Sequence, residues 1–110
     1  LVGRSGVSTE MQKILVFWRD IPAQVLVKRG RDRGKAILSQ RFQEAIDRAA
    51  MRAGKGGSDE YLADWRRESS ALDGDGSPQS LAEQMALAIE REYSDDDIKI
   101  LVKAKGLKAS

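Results

Sequence analysis

From Gln12 to Lys28 the chain reads QKILVFWRDIPAQVLVK, two apolar runs broken once at Asp20-Ile21-Pro22. No other stretch constrains the fold as much. Over residues 12–19, Ile14, Val16 and Trp18 alternate with Leu15, Phe17 and Arg19, the two-residue period of a strand. β-Branched and aromatic side chains suit such a pleated surface. Both alternating sets are apolar mid-run, which predicts a central strand covered on both faces. Pro22 fixes its own φ and restricts the residue before it, so the run breaks there. Residues 23–28 (AQVLVK) then resume strand character. A connection this short joins antiparallel neighbours, because parallel ones need a long crossover. Residues 29–34 (RGRDRG) read as a charged turn, and residues 35–38 (KAIL) as a third short strand.

After Ser39 the period changes. With about 100° per residue, Phe42, Ala45, Ile46, Ala49, Ala50 and Ala53 fall in one arc of about 140°, the core stripe of an amphipathic helix. Ser39 suits its N-cap and Gly54 its C-terminal stop. Residues 42–67 are expected to hold this helix, a glycine turn, and a second helix capped by Ser58. Asp59 and Glu60 lie in the first turn of that helix, and Tyr61, Leu62 and Trp65 share one side. Trp65 reads as a core anchor. Residues 70–80 (SALDGDGSPQS) read as a loop. Its Asp73 and Asp75 do not make a calcium site, because the other oxygen ligands and the terminal glutamate of an EF-hand loop are missing. Ser77-Pro78 opens a third helix with Leu81, Ala82, Met85, Ala88, Ile89 and Tyr93 on its apolar face. In residues 94–106 (SDDDIKILVKAKG), Ile98, Ile100 and Val102 would also alternate as a strand. The serine start, acidic front and basic end favour a helix. The sum is an α+β domain: a small antiparallel β-sheet of two to three N-terminal strands packed against three to four helices.

The 110 residues suffice for one domain, expected over residues 11–110. Residues 1–10 (LVGRSGVSTE) lack periodicity and precede a natural start at Met11, so they read as an expression remnant or a disordered extension. With no cysteine and no histidine, disulfides, thiolate sites and the commonest general base are excluded. No run approaches the roughly 20 apolar residues of a membrane span, and a cytoplasmic location without membrane contact is expected. No Walker, dinucleotide or G-x-S-x-G pattern occurs; RGRDRGK has the wrong spacing for a phosphate loop. Serines 39, 58, 77 and 94 each precede a helical pattern and are assigned to capping. No tuned acid–base pair stands out, so no catalytic, cofactor or metal residue is assigned.

The remaining signal is basic. The net charge of +2 divides into +7 over residues 1–55 and −5 over residues 56–110. On the first helix Arg41, Arg48, Arg52 and Lys55 fall at about 260°, 240°, 280° and 220°, one stripe beside the apolar face. If the sheet brings Lys28, Arg29, Arg31, Arg33 and Lys35 near it, the two sets form one cationic patch for an anionic partner. Met51, near 180° on the same wheel, adds a soft apolar contact.

Three phrases carry a resemblance: WRDIPAQV (residues 18–25), RFQEAIDRAAMRAG (residues 41–54) and DEYLADWRR (residues 59–67). Through them the chain resembles the small bacterial "virulence factor" domain family, related to conserved virulence factor C. The resemblance is best over residues 11–67 and supplies no catalytic residues to transfer. It implies an accessory domain: stand-alone members of the family lie near one-carbon, folate and corrinoid methyltransferase genes, so the resemblance makes an accessory subunit of a one-carbon metabolic enzyme one reading. The favoured reading is a non-catalytic interaction module with a protein partner. Nucleic-acid or anionic-ligand binding by the basic patch is the alternative, less favoured because no RNP-type aromatics or Gly-X-X-Gly loop occur.

Overall fold

The computed structural model describes residues 11–55, 57–73 and 76–108. Residues 1–10, read above as an extension, lie outside the described residues, as does Asp75 of the DGDG loop. The chain is α+β, with one strand more than the sequence pattern showed. Strands β1 (Met11–Trp18), β2 (Ile21–Arg29) and β3 (Asp32–Ile37) come first. Helix α1 (Gln40–Arg52) and the short α2 (Ser58–Ala63) follow. Then come β4 (Trp65–Leu72), α3 (Pro78–Glu92) and α4 (Asp95–Lys103).

The sheet order is β3-β2-β1-β4, and every pair is antiparallel. Arg19 and Asp20 make the β1–β2 turn, with Arg19 in the left-handed region at φ 54°. That conformation costs a non-glycine residue about 1 kcal/mol or more. Here it is held from outside: Arg19 donates its backbone N–H to the Asp64 carbonyl and its Nη1 to the Lys105 carbonyl. The register between β1 and β2 shifts between Val16 and Phe17, where Val16 pairs with Gln24 but Phe17 with Pro22. The proline thus sits at a bulge, where its missing donor breaks no regular ladder.

β4 corrects the sequence reading. The second helix stops after Ala63, with Gly57 rather than Ser58 at its N-cap, and Trp65 begins a strand. Trp65–Leu72 pairs along the whole of β1, from Trp18↔Trp65 to Met11↔Leu72. Arg, Glu and Ser have little strand preference of their own; pairing with the apolar β1 overrides it. The segment read as a loop from residue 70 is therefore strand to Leu72.

Helices cover one face of the sheet. α3 packs on β3 and β2 above Val25 and Val27, both fully buried, while α1 packs against α4 and against β2. The approach of α3 is close at Gly34. A Cβ there would collide with the Pro78 carbonyl group and the Gln79 amide nitrogen. Beside it the Lys35 backbone N–H donates to Gln79 Oε1 at 2.9 Å, and Gln79 Nε2 donates to the Lys35 carbonyl at 2.9 Å. Most of the stripe behaves as the wheel required: Ala45, Ala49 and Ala50 are buried with Phe42 and Ile46, while Ala53 is the C-cap and only half-buried.

β1 is internal, but helices do not cover both of its faces. Ile14 and Val16 are buried, yet they do not join the cluster that unites Val25, Val27 and the helices. They belong to the opposite face. At the far end of β1, Trp18 is fully buried: its Nε1 donates to the Tyr61 carbonyl at 2.9 Å, and its ring stacks on Tyr61 at 5.9 Å. Tyr61 meets Trp65 edge to face at 5.8 Å. Trp65 is half-buried and packs against the core from the strand, not from a helix.

The serine caps divide. Ser77 accepts from the Ser80 N–H at 3.1 Å, and Ser94 forms a full capping box with Asp97. That box settles residues 95–103 as a helix. Ser39 is at the N-cap position but caps nothing with its side chain; its N–H and hydroxyl both donate to the Glu90 carboxylate of α3.

Candidate functional site

Where α1 and α4 lie side by side they leave an open groove of about 450 Å³. Helical spacing decides its lining. Arg41, Glu44, Ala45, Arg48 and Arg52 stand along one side of α1, and Asp95, Ile98, Lys99, Val102 and Lys103 along one side of α4. Steps of three, four and seven residues keep each set on one face. Ala45, Ile98 and Val102 give the groove apolar lining, and the cations stand around them.

Arg41 is held within the fold. Its Nη1 donates to Asp95 Oδ1 at 2.9 Å, and its Nη2 to the Glu90 carbonyl at 2.7 Å and Glu90 Oε1 at 3.2 Å. Its guanidinium also lies over the Phe42 ring, 4.9 Å from the centroid. One planar fork thus ties α1 to α3 and α4 and pairs with two carboxylates at once, as a guanidinium can and an ammonium cannot. The other cations are freer. Arg48 reaches Glu44 only at 4.0 Å with both side chains exposed, a contact worth little. Arg52, Lys99 and Lys103 form no ion pair among the described residues. The groove therefore presents uncompensated positive charge beside an apolar strip.

The ten residues expected to share one patch are separated. Arg41, Arg48 and Arg52 line the groove. Met51 is 74% exposed on α1 but outside that lining. Lys55 turns to Asp64, with Nζ 3.4 Å from Oδ2. The hairpin residues lie at the other end of the sheet, since β3 runs from its turn at Asp32 to Ile37 beside α1. Six residues of strand, about 17 Å, separate the two ends. Within the hairpin, Arg29 donates to the Gly76 carbonyl, Arg31 is at the turn, and Lys28, Arg33 and Lys35 fall on the face opposite the helices. Lys99 and Lys103 were missed by sequence reasoning. Their i,i+4 spacing beside Ile98 and Val102 was the available signal.

Among the described residues four groups have displaced acidities, all moved away from neutral pH. Burial raises Tyr61, with Asp47 adding to it, and burial with nearby Glu92 raises Tyr93. Partial burial of Asp64 opposes its charge, but hydrogen bonds from Arg19 and Lys55 outweigh that and hold its carboxyl below 3.8. Hydrogen bonds from Ser94 lower Asp97. Among the described residues no cluster of three or more carboxylates is placed to hold a metal, and no helix is long and apolar enough to cross a membrane.

Comparison with protein families finds a match, described as Virulence factor, over residues 16–102. The chain belongs to the virulence factor family. The match runs from Val16 near the end of β1 to Val102 in α4, so it takes in β2, β3, β4 and nearly all of the groove. It extends past residue 67, where the sequence resemblance was best. No curated protein and no solved structure matches the chain significantly. Membership in the virulence factor family names a virulence-associated domain and assigns no residue a role.

Proposed function

We propose that this domain is a non-catalytic interaction module whose α1–α4 groove receives an acidic, amphipathic segment of a partner protein. The observation that carries this reading is the combination of Arg48, Arg52, Lys99 and Lys103 without strong partners around Ala45, Ile98 and Val102. Apolar contact gives the affinity in such a groove, and the charged rim gives orientation and rate. At 1.5 Å per residue the nine residues of α4 extend about 13 Å, room for a segment of about two helical turns. An i, i+3, i+4 pattern of apolar anchors flanked by Asp or Glu is the complement. An accessory role in a larger assembly fits a surface of this size.

The test is crosslinking and affinity capture from the source cell with wild type and an Arg48→Glu/Arg52→Glu variant. Both side chains are exposed, so the fold is kept, and circular dichroism checks that. The partner of wild type should be lost by the variant, and a peptide from its acidic segment should compete. Equal recovery by the two proteins overturns the reading.

A further inference from the structure

The strand register sorts the charges of the sheet by face. Opposite the helices, three rows run across β3, β2, β1 and β4: Ile37-Gln24-Val16-Arg67, Lys35-Leu26-Ile14-Ser69, and Arg33-Lys28-Gln12-Ala71. These positions include four cations and no carboxylate. The only acids in the strands, Asp32 and Glu68, fall on the other face, opposite Arg29 and Leu15. None of Lys28, Arg33, Lys35 or Arg67 has an ion-pair partner among the described residues. With strands about 4.8 Å apart and successive same-face residues about 6.7 Å apart, the cations run diagonally for about 16–20 Å, from Arg67 past Ile14 and Leu26 to the hairpin.

At the Arg67 end is an open depression of about 500 Å³, lined by Val16, Gln24, Trp65, Arg66 and Arg67. Trp65 is half-buried there, fixed edge to face against Tyr61. Gln24 contributes an amide that both donates and accepts. An acidic protein surface would answer the cations alone. A fixed indole, an amide and an apolar floor at one end of a cationic track answer bases as well as phosphates.

We propose that this sheet face, opposite α1 and α3, binds single-stranded nucleic acid, with phosphates along Lys28, Arg33, Lys35 and Arg67 and a base in the Trp65–Gln24 depression. This surface is separate from the α1–α4 groove, so each can fail alone.

The probe is a labelled single-stranded oligonucleotide of about twelve nucleotides, titrated with the full chain and followed by fluorescence anisotropy. At low salt, about 20 mM, binding is expected, with a log–log salt slope no steeper than about −2.8, the value for four phosphate contacts on a single strand. Lys35→Glu/Arg67→Glu, both at exposed positions, should weaken binding at least tenfold, whereas Arg48→Glu/Arg52→Glu should leave it within twofold. Trp65→Ala should weaken it by about tenfold, one stacked base; circular dichroism verifies folding, and the lysine–arginine pair decides the matter if this variant unfolds. No binding at low salt, or the same affinity in Lys35→Glu/Arg67→Glu, overturns the proposal. So does poly-glutamate of equal charge competing as well as the unlabelled oligonucleotide, since the face would then read charge alone.

Discussion

Replacing Gly34 by alanine tests how tightly the sheet and α3 are joined. The new Cβ would press on the backbone of Pro78 and Gln79, not on the end of a flexible side chain that could turn away. Restoring van der Waals separation requires α3 to retreat by roughly 1 Å. Overpacking of this kind costs about 1–3 kcal/mol. The retreat also stretches the two hydrogen bonds between Lys35 and Gln79, at about 0.5–1.5 kcal/mol each. Alanine returns about 0.4–1 kcal/mol by restricting the unfolded chain. The balance is a loss of about 3 kcal/mol, or a fall in melting temperature of about 12–24 °C for a domain of this size. Thermal unfolding by circular dichroism measures it. Gln79→Ala is the control, because it removes the hydrogen bonds without the collision and should cost only about 1–2 kcal/mol. A Gly34→Ala melting temperature within about 3 °C of wild type, or no lower than that of Gln79→Ala, would refute the close-approach argument.

Arg41→Ala should destabilise the domain by about 1.5–3 kcal/mol, the range for hydrogen bonds to charged groups, with its partial exposure favouring the lower end. Arg41→Lys should recover less than half in urea unfolding, since one ammonium cannot span Asp95, the Glu90 carboxylate and its carbonyl. Ser94→Ala should cost about 1 kcal/mol by the same assay, through loss of the capping box. Asp64 gives a pH dependence. Its folded-state carboxyl lies below the ordinary 3.8, so on acidification the unfolded chain takes up this proton first. The stabilisation is therefore complete well above pH 4 and is lost as pH falls through the lower folded value. Wild type should exceed Asp64→Asn at pH 7 and converge toward it near pH 2; a constant difference across that range would contradict the linkage.

The hairpin and the helices were legible because each carries its own local signal. The Asp20-Ile21-Pro22 interruption marks the change of strand, although the turn is Arg19–Asp20 and Pro22 lies within β2; the Phe42–Ala50 stripe keeps a helical period, and Ser77 and Ser94 cap through bonds to residues three ahead. β4 was not legible. Its pattern is exposed except at its ends, and the apolar partner that makes it a strand is 47 positions away at Trp18↔Trp65. Half of the groove could be read from the α1 wheel. The other half needed the packing of α4, and Arg41 could not be told from Arg48 until Glu90 and Asp95 were placed beside it. The charge sorting of the sheet rested on the same gap, because Arg67 belonged to a helix while Trp65 did.

The order of strands has a consequence for how the chain reaches its native state. β1 finds β2 after a turn of two residues, but it waits for β4 until α1 and α2 have been traversed. Pairings so distant in sequence pay loop entropy before they gain contacts, so the β1–β2–β3 meander is expected to close first and β4 to zip on last. In that interval β1 has a bare edge bearing Ile14 and Val16, an invitation to strands of other chains. Pulse-labelled hydrogen exchange should then protect β1–β2 amides ahead of the β1–β4 ladder; simultaneous protection would exclude this sequence of events. The polar composition of WRRESSAL becomes intelligible in the same terms: the strand that closes the sheet is too soluble to aggregate while it waits.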